Sequence, residues 1–420
     1  MSLNFSNPAL AINGGTPART LPWLDNFTTG DEEKCAVHRV LDSGYLSLYE
    51  GSNNPDPPFS FLGGPEVQSL ESEWSDFYRV NHSVAFNSAT SCLYASIGAL
   101  GIGYGDEVIV SPYTMSACAL APLIYGAIPV FADVDPRTGC LDPTSVASRI
   151  SSRTKAILVV HQFGFPADMD ALLEIALPHN IKIIEDCAQA HGAMYKGKSA
   201  GSIGHIGAWS FCQDKIMTTG GEGGMVTTND ETLWKKMWSY KDHGKNYDSV
   251  YNKQHPPGFR WLHDSFGTNW RMMEIQAVIG RIQLKKMPEW TAVRNSNMAR
   301  IQAAFENSPY FTVAKPSADY VHAAYKCYVQ VNVDALPEGW SRDHIMAEIN
   351  ALGVPCFSGS CSEVYLEKAF DGTPWRPEQR LKHAQQLGES SLIFVVHPTL
   401  SQQSLQKTVD AIQQVIARIS

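Results

Sequence analysis

The chain has 420 residues, 44% apolar and 18% charged, with a formal net charge of −9 and nine cysteines. This length exceeds what one hydrophobic core fills, so two domains are expected, and the composition excludes a largely disordered or fibrous protein. Lysines and arginines are scattered rather than gathered into a basic arm, the cysteines lack zinc-site spacing, and neither a signal-peptide core nor a long apolar window occurs. The expectation is a soluble cytoplasmic protein with reduced thiols, no metal centre, no nucleic-acid partner and no membrane anchor.

From Ser83 onward, short β-branched runs alternate with helix-length segments, the pattern of an α/β fold with a mostly parallel sheet. The predicted strands are 84–86, 107–111, 128–134, 155–161, 182–186, 208–211 and 224–228. Helices such as SATSCLYASIGAL and DMDALLEIALPHN lie between them. Residues 242–264, DHGKNYDSVYNKQHPPGFRWLHD, lack periodicity and read as a long loop, of the kind that is usually functional. RMMEIQAVIGRIQLKKMPEW is strongly helical and leads into a smaller mixed α+β domain. The division expected is 1–290, including an N-terminal arm over 1–62, and 291–420. A final amphipathic helix places Leu405, Val409, Ile412, Ile416 and Ile419 on one face.

In an open parallel sheet, ligands bind at the carboxyl ends of the strands, so polar residues there carry the information. Four such ends stand out: Asn87–Thr90, His161, Asp186 with Gln189, and Ser210–Lys215. NSAT opens a helix whose first turn offers free N–H groups to a phosphate, although Ser88 alone also makes an ordinary N-cap. Asp186 follows an apolar strand and needs a cationic or proton-bearing partner, which a protonated ring nitrogen, a salt bridge or a helix cap could each supply. A lysine in a partly desolvated site can form a Schiff base with an aldehyde, whereas one at an open strand end is merely solvated. The glycines after Lys215, GGEGG, lack the spacing of a phosphate-binding P-loop. Taken together, the phosphate cradle, Asp186 and Lys215 describe one ligand, pyridoxal 5′-phosphate.

The stretches FNSATSCLYASIGALGIGYGDEVIVSPYT, GAIPVFADVD, EDCAQAHGAMYKGKSAGSIGHIGAWSF, DKIMTTGGEGGMVTTND and GTNWRMMEIQAVIGRIQL resemble, in order and spacing, the DegT/DnrJ/EryC1/StrS sugar aminotransferases. This resemblance implies the three-layer type I fold of pyridoxal-phosphate enzymes, with Lys215 as the Schiff-base lysine and Asp186 on the pyridine nitrogen. It puts Gln189 near the phenolic oxygen, and Ala89, Thr90 and Ser210 on the phosphate. Asn269 is implied to reach in from a second subunit, making a homodimer with a loop over about 242–266 between subunits. Met115 stands where many members stack an aromatic ring on the cofactor, with Tyr113 two residues earlier. A lysine at 215, where one branch carries histidine and dehydrates sugars, favours amino transfer.

The implied reaction moves an amino group from glutamate or glutamine, with L-glutamate favoured, to a nucleotide-linked keto-sugar. A cyclitol ketone, which AINGGTPAR also suggests by similarity, and a lyase or dehydratase of the same fold are the alternatives. Candidate substrate contacts are Tyr113, His243, Lys245, Arg260, Tyr325 and Lys326, with residues 358–362 behind them; Cys361 and His397 receive no role.

Overall fold

The computed structural model describes residues 10–17, 26–49, 61–253 and 261–420. Seven strands form the main sheet: β1 (His82–Phe86), β2 (Glu107–Val110), β3 (Ile128–Phe131), β4 (Thr154–Val160), β5 (Lys182–Asp186), β6 (Ile206–Ser210) and β7 (Gly224–Thr228). Their spatial order is β1-β7-β6-β5-β4-β2-β3. The run from β6 to β3 is parallel, and β7 pairs antiparallel with both β1 and β6.

The unbroken apolar runs of β4 and β5 follow from burial on both faces. Ala156, Leu158, Val160 and Ile184 join one core, while Ile157, Val159 and Ile183 join the core beneath the opposite face. At about 1.5–3 kcal/mol for each fully buried aliphatic side chain, register slips are heavily penalised. The same alternation turns Asp186 and its neighbour Glu185 to opposite faces.

A second, four-stranded antiparallel sheet takes the order Phe311–Thr312, Cys327–Val331, Ser391–Phe394, Cys356–Phe357. Its own core includes Val329, Val331, Ile345, Leu392, Phe394, Leu405 and Ile412. The 30-residue helix Glu274–Ala303 connects the two bodies, burying Ala277, Leu284 and Met287 with one and Met298 and Ile301 with the other.

Three details differ from expectation. The terminal helix, Gln402–Ile419, buries Leu405, Thr408, Ala411, Ile412, Val415 and Ile419, so its inner face is rotated from the predicted one and Val409 and Ile416 sit at its margin. Residues 242–264 contain the short helix Tyr247–Tyr251, capped by the Asn246 side chain, and bridges Asp242–Asn269 and Lys245–His263 knit the excursion together. Ala11 and Ile12, from the arm expected with the N-terminal domain, donate their N–H groups to Glu348 of the C-terminal layer, at 3.1 Å each. Among the described residues no helix is long and apolar enough to cross a membrane.

Candidate active site

The carboxyl ends of β1, β5 and β6, with the start of β7 between β1 and β6, bring the predicted residues to one edge of the sheet. Gly224 opens β7 and pairs with Phe86 on one side and Ser210 on the other. Helix Ala89–Ala99 begins directly above it. Ser88 is the N-cap, its Oγ accepting from the Ser91 amide at 3.1 Å, which leaves Ala89 and Thr90 in the first turn, beyond the intrahelical ladder. Packing explains the glycine: a Cβ on Gly224 would stand 2.6 Å from the Ser88 carbonyl oxygen and 2.7 Å from Cys92 Sγ. Ser210 is buried, and its hydroxyl accepts from the Cys212 amide at 3.3 Å.

Asp186 closes β5 and is 7% exposed. Its Oδ1 accepts from the Ala188 amide at 2.9 Å and its Oδ2 from the Cys118 thiol at 2.9 Å. Among the described residues no cation pairs with it. A buried carboxylate served only by neutral donors is suited to a protonated ring nitrogen. The proximity of Asp186 also pushes the Cys118 thiol further up, after burial has done most of the work. Gln189 turns its Oε1 to the Phe163 amide at 2.6 Å, which directs its Nε2 away from that contact as a donor.

Glu185, on the far face of β5, is a buried anchor. Its two oxygens accept from the Gly201, Ile203 and Gly204 amides at 2.6–2.8 Å and from His161 Nε2 at 2.8 Å. Burial alone would raise the Glu185 carboxyl, but these donors outweigh it and hold it below its ordinary value. His161 also accepts the Ala167 amide on Nδ1 at 3.1 Å, so both ring nitrogens are used and the residue locks the strand end.

Lys215 lies on the loop between β6 and β7, tied down by Phe211 N–H to Gly223 O, Gln213 N–H to Gly221 O and Lys215 N–H to Cys212 O. Its side chain is 17% exposed. Its Nζ stands 3.4 Å from the Tyr325 hydroxyl and 3.3 Å from an Asp214 oxygen. Tyr325 also donates to Asp214. Burial would raise the Asp214 carboxyl, yet Lys215 and Tyr325 hold it below the usual range.

The remaining candidates separate. Tyr325 and Lys326 join Lys215, and Met115 is exposed three residues before Cys118. Tyr113, expected as a substrate contact, is instead fully enclosed, and its hydroxyl donates to Ser391 at 3.0 Å. Lys245 is likewise withdrawn, buried against Phe61 with its Nζ 2.6 Å from Asp242. His243 is exposed, Asn269 is exposed on the excursion, and Arg260 lies outside the described residues. Cys118, Asp214 and Arg294 were missed. Only Arg294 had a sequence signal, since Met287, Thr291, Arg294, Met298 and Ile301 share a 4-3-4-3 stripe that buries all five.

A model of the DegT/DnrJ/EryC1/StrS aminotransferase family matches residues 59–413. The chain belongs to this family. It is 35% identical over 359 residues to GDP-perosamine synthase of Caulobacter vibrioides, covering 84% of this chain and 91% of that protein. It is 36% identical over 308 residues to L-glutamine:2-deoxy-scyllo-inosose aminotransferase of Streptomyces kanamyceticus, covering 72% and 68% respectively. The crystal structure of an aminotransferase from Psychrobacter cryohalolentis superimposes with a TM-score of 0.89 at 53% identity, over 95% of this chain and 99% of that one. The chain is therefore an enzyme of the aminotransferase family, and its relatives act in amino-sugar and cyclitol chemistry.

Proposed function

We propose that this DegT/DnrJ/EryC1/StrS protein uses pyridoxal 5′-phosphate to move an amino group from an amino acid, L-glutamate by preference, to a nucleotide-linked keto-sugar. The observation that carries the reading is the Lys215 amine beside Tyr325, on the strand end next to a buried Asp186 that has no cationic partner among the described residues.

The residues present fit the cofactor. The first turn at Ala89 and Thr90, with Ser210, would hold its phosphate, Asp186 its ring nitrogen, Gln189 its phenolic oxygen and Lys215 its aldehyde carbon. When bound, the group supplies an electron sink for the carbon that loses a proton. Lys215 carries that proton between the two carbon positions, and the Tyr325 hydroxyl at 3.4 Å holds its amine in place. Asp186, fixed by Cys118 and Ala188, keeps the ring nitrogen protonated. Glu185 and His161 keep the end of β5 rigid, so that this carboxylate does not drift.

The exposed position of Asn269, on an excursion knitted to Asp242, supports a homodimer in which that residue reaches the partner's cofactor phosphate. The test is a panel of nucleotide-linked keto-sugars and cyclitol ketones, offered with glutamate or glutamine, with mass detection of a new amine. An amine formed from a nucleotide-linked sugar supports the proposal, and turnover of cyclitol ketones alone overturns the acceptor class.

A further inference from the structure

Beside Lys215 lie two further cations that the cofactor leaves unused, Arg294 buried and Lys326 half-buried. Arg294, from helix Glu274–Ala303, is 2% exposed. Its Nη1 donates to the Tyr325 carbonyl at 3.3 Å, while its Nε and Nη2 meet no acceptor among the described residues. Lys326 follows Tyr325 directly, with its Nζ 4.9 Å from that ring's centroid, and among the described residues it makes no ion pair. Burial, reinforced by Arg294 and Lys215 and opposed by Asp214, brings Lys326 down to about 8; burial brings Arg294 down to about 10. Both remain charged at neutral pH.

Among the described residues no carboxylate forms an ion pair with either. His397 is lowered to about 4 by burial and by Arg294 and Lys326, and His191 to about 3 by burial, Lys215 and Arg294, so both rings are uncharged. Asp214, the carboxylate of the cluster, already serves Lys215 and Tyr325. With Lys215 left to the cofactor, Lys326 and Arg294 thus outnumber Asp214 by one charge. Buried cations without partners are costly unless an anion completes the site.

We propose that Arg294 and Lys326 form the carboxylate subsite for the amino donor and select a dicarboxylic amino acid over its side-chain amide. The inference rests on the aminotransferase reading above. Tyr325 links the pieces, since its hydroxyl reaches Lys215 and its carbonyl holds Arg294, so the subsite adjoins the amine that must handle the donor's α-proton. A guanidinium takes a carboxylate in a two-pronged grip, and the second cation matches the second carboxylate. An amide would need an acceptor for its NH2 group. The Asp214 carboxylate, the Tyr325 carbonyl and His397 Nδ1, which lies 2.7 Å from Thr399 Oγ1, each already take part in a hydrogen bond that an amide would have to share, and the ring of His191, unpartnered among the described residues, is fully buried.

The test compares glutamate with glutamine as donor in the cofactor-loaded enzyme and in Lys326→Gln, and measures glutarate and glutaramate binding to both proteins by calorimetry. Lys326 is chosen because loss of the buried Arg294 could prevent folding. The wild type should favour glutamate in kcat/KM by about tenfold or more, and Lys326→Gln should reduce that ratio by about tenfold while weakening glutarate but not glutaramate. Equal or better use of glutamine by the wild type overturns the proposal. So does a variant that keeps both the glutamate preference and the glutarate affinity, or one whose acceptor KM rises in place of the donor's. Turnover with neither donor sinks the aminotransferase reading instead, and the glutarate measurement then decides the subsite separately.

Discussion

Gly224→Ala is the perturbation that most sharply probes the proposed phosphate cradle. A Cβ at this position would approach the Ser88 carbonyl oxygen to 2.6 Å, whereas ordinary contact begins at 3.4 Å, so the helix start must retreat by about 0.8 Å. The obstacle is backbone rather than the end of a flexible side chain, and the backbone angles of Gly224 suit alanine, so the effect is steric. Overpacking of this kind costs about 1–3 kcal/mol. If the cofactor-bound arrangement bears that cost, at about 1.4 kcal/mol per tenfold, cofactor affinity falls by about tenfold to a hundredfold. Titrating the cofactor-free protein with pyridoxal 5′-phosphate reads this directly. Gly103→Ala, where nothing lies within 4 Å, is the matched control. Wild-type affinity and an unchanged unfolding temperature in Gly224→Ala would refute the reasoning.

Glu185→Gln sets an amide NH2 against two of the four donors that the carboxylate now accepts, and should lower stability by about 3–5 kcal/mol in urea denaturation. Because the folded Glu185 carboxyl is depressed, that advantage of the wild type is present above the ordinary value of 4.5 and is lost as pH falls through the lower folded value; a deficit constant with pH would contradict it. Lys326, facing Asp214, Lys215, Arg294, Tyr325 and His397, loses its charge as pH rises through about 8, so kcat/KM for glutamate should decline there and Lys326→Gln should lack that limb. In stability terms the sign is opposite: a lysine depressed from 10.5 opposes folding while charged, and that penalty fades as pH rises from about 8 towards 10.5.

Much of the fold was legible because periodicity reports burial. The unbroken apolar runs of β4 and β5 marked strands covered on both faces, and Ser88 marked a helix start that the structure reproduces. Asp186 and Lys215 were legible because strand ends in a parallel sheet are where ligands sit. What remained hidden depended on contacts between distant segments. Nothing local distinguishes Tyr113, enclosed against Ser391, from an accessible tyrosine, and nothing local announces that Lys245 is buried over the ring of Phe61. The Cys118 thiol meets Asp186 across 68 residues of sequence. The terminal helix misled by about one position because Val409 and Ile416 satisfy the same spacing as Thr408 and Val415, and only packing on the small sheet chooses between the two faces.

The central claim is that Lys215 carries the cofactor. Borohydride reduction of the protein loaded with pyridoxal 5′-phosphate, followed by proteolysis and mass spectrometry, tests it most directly, because Lys326 lies against the same tyrosine as Lys215 and competes as the site of attachment. A phosphopyridoxyl adduct on the peptide holding Lys215, absent from Lys215→Ala, is the predicted result; an adduct on Lys326, or none, would contradict the account.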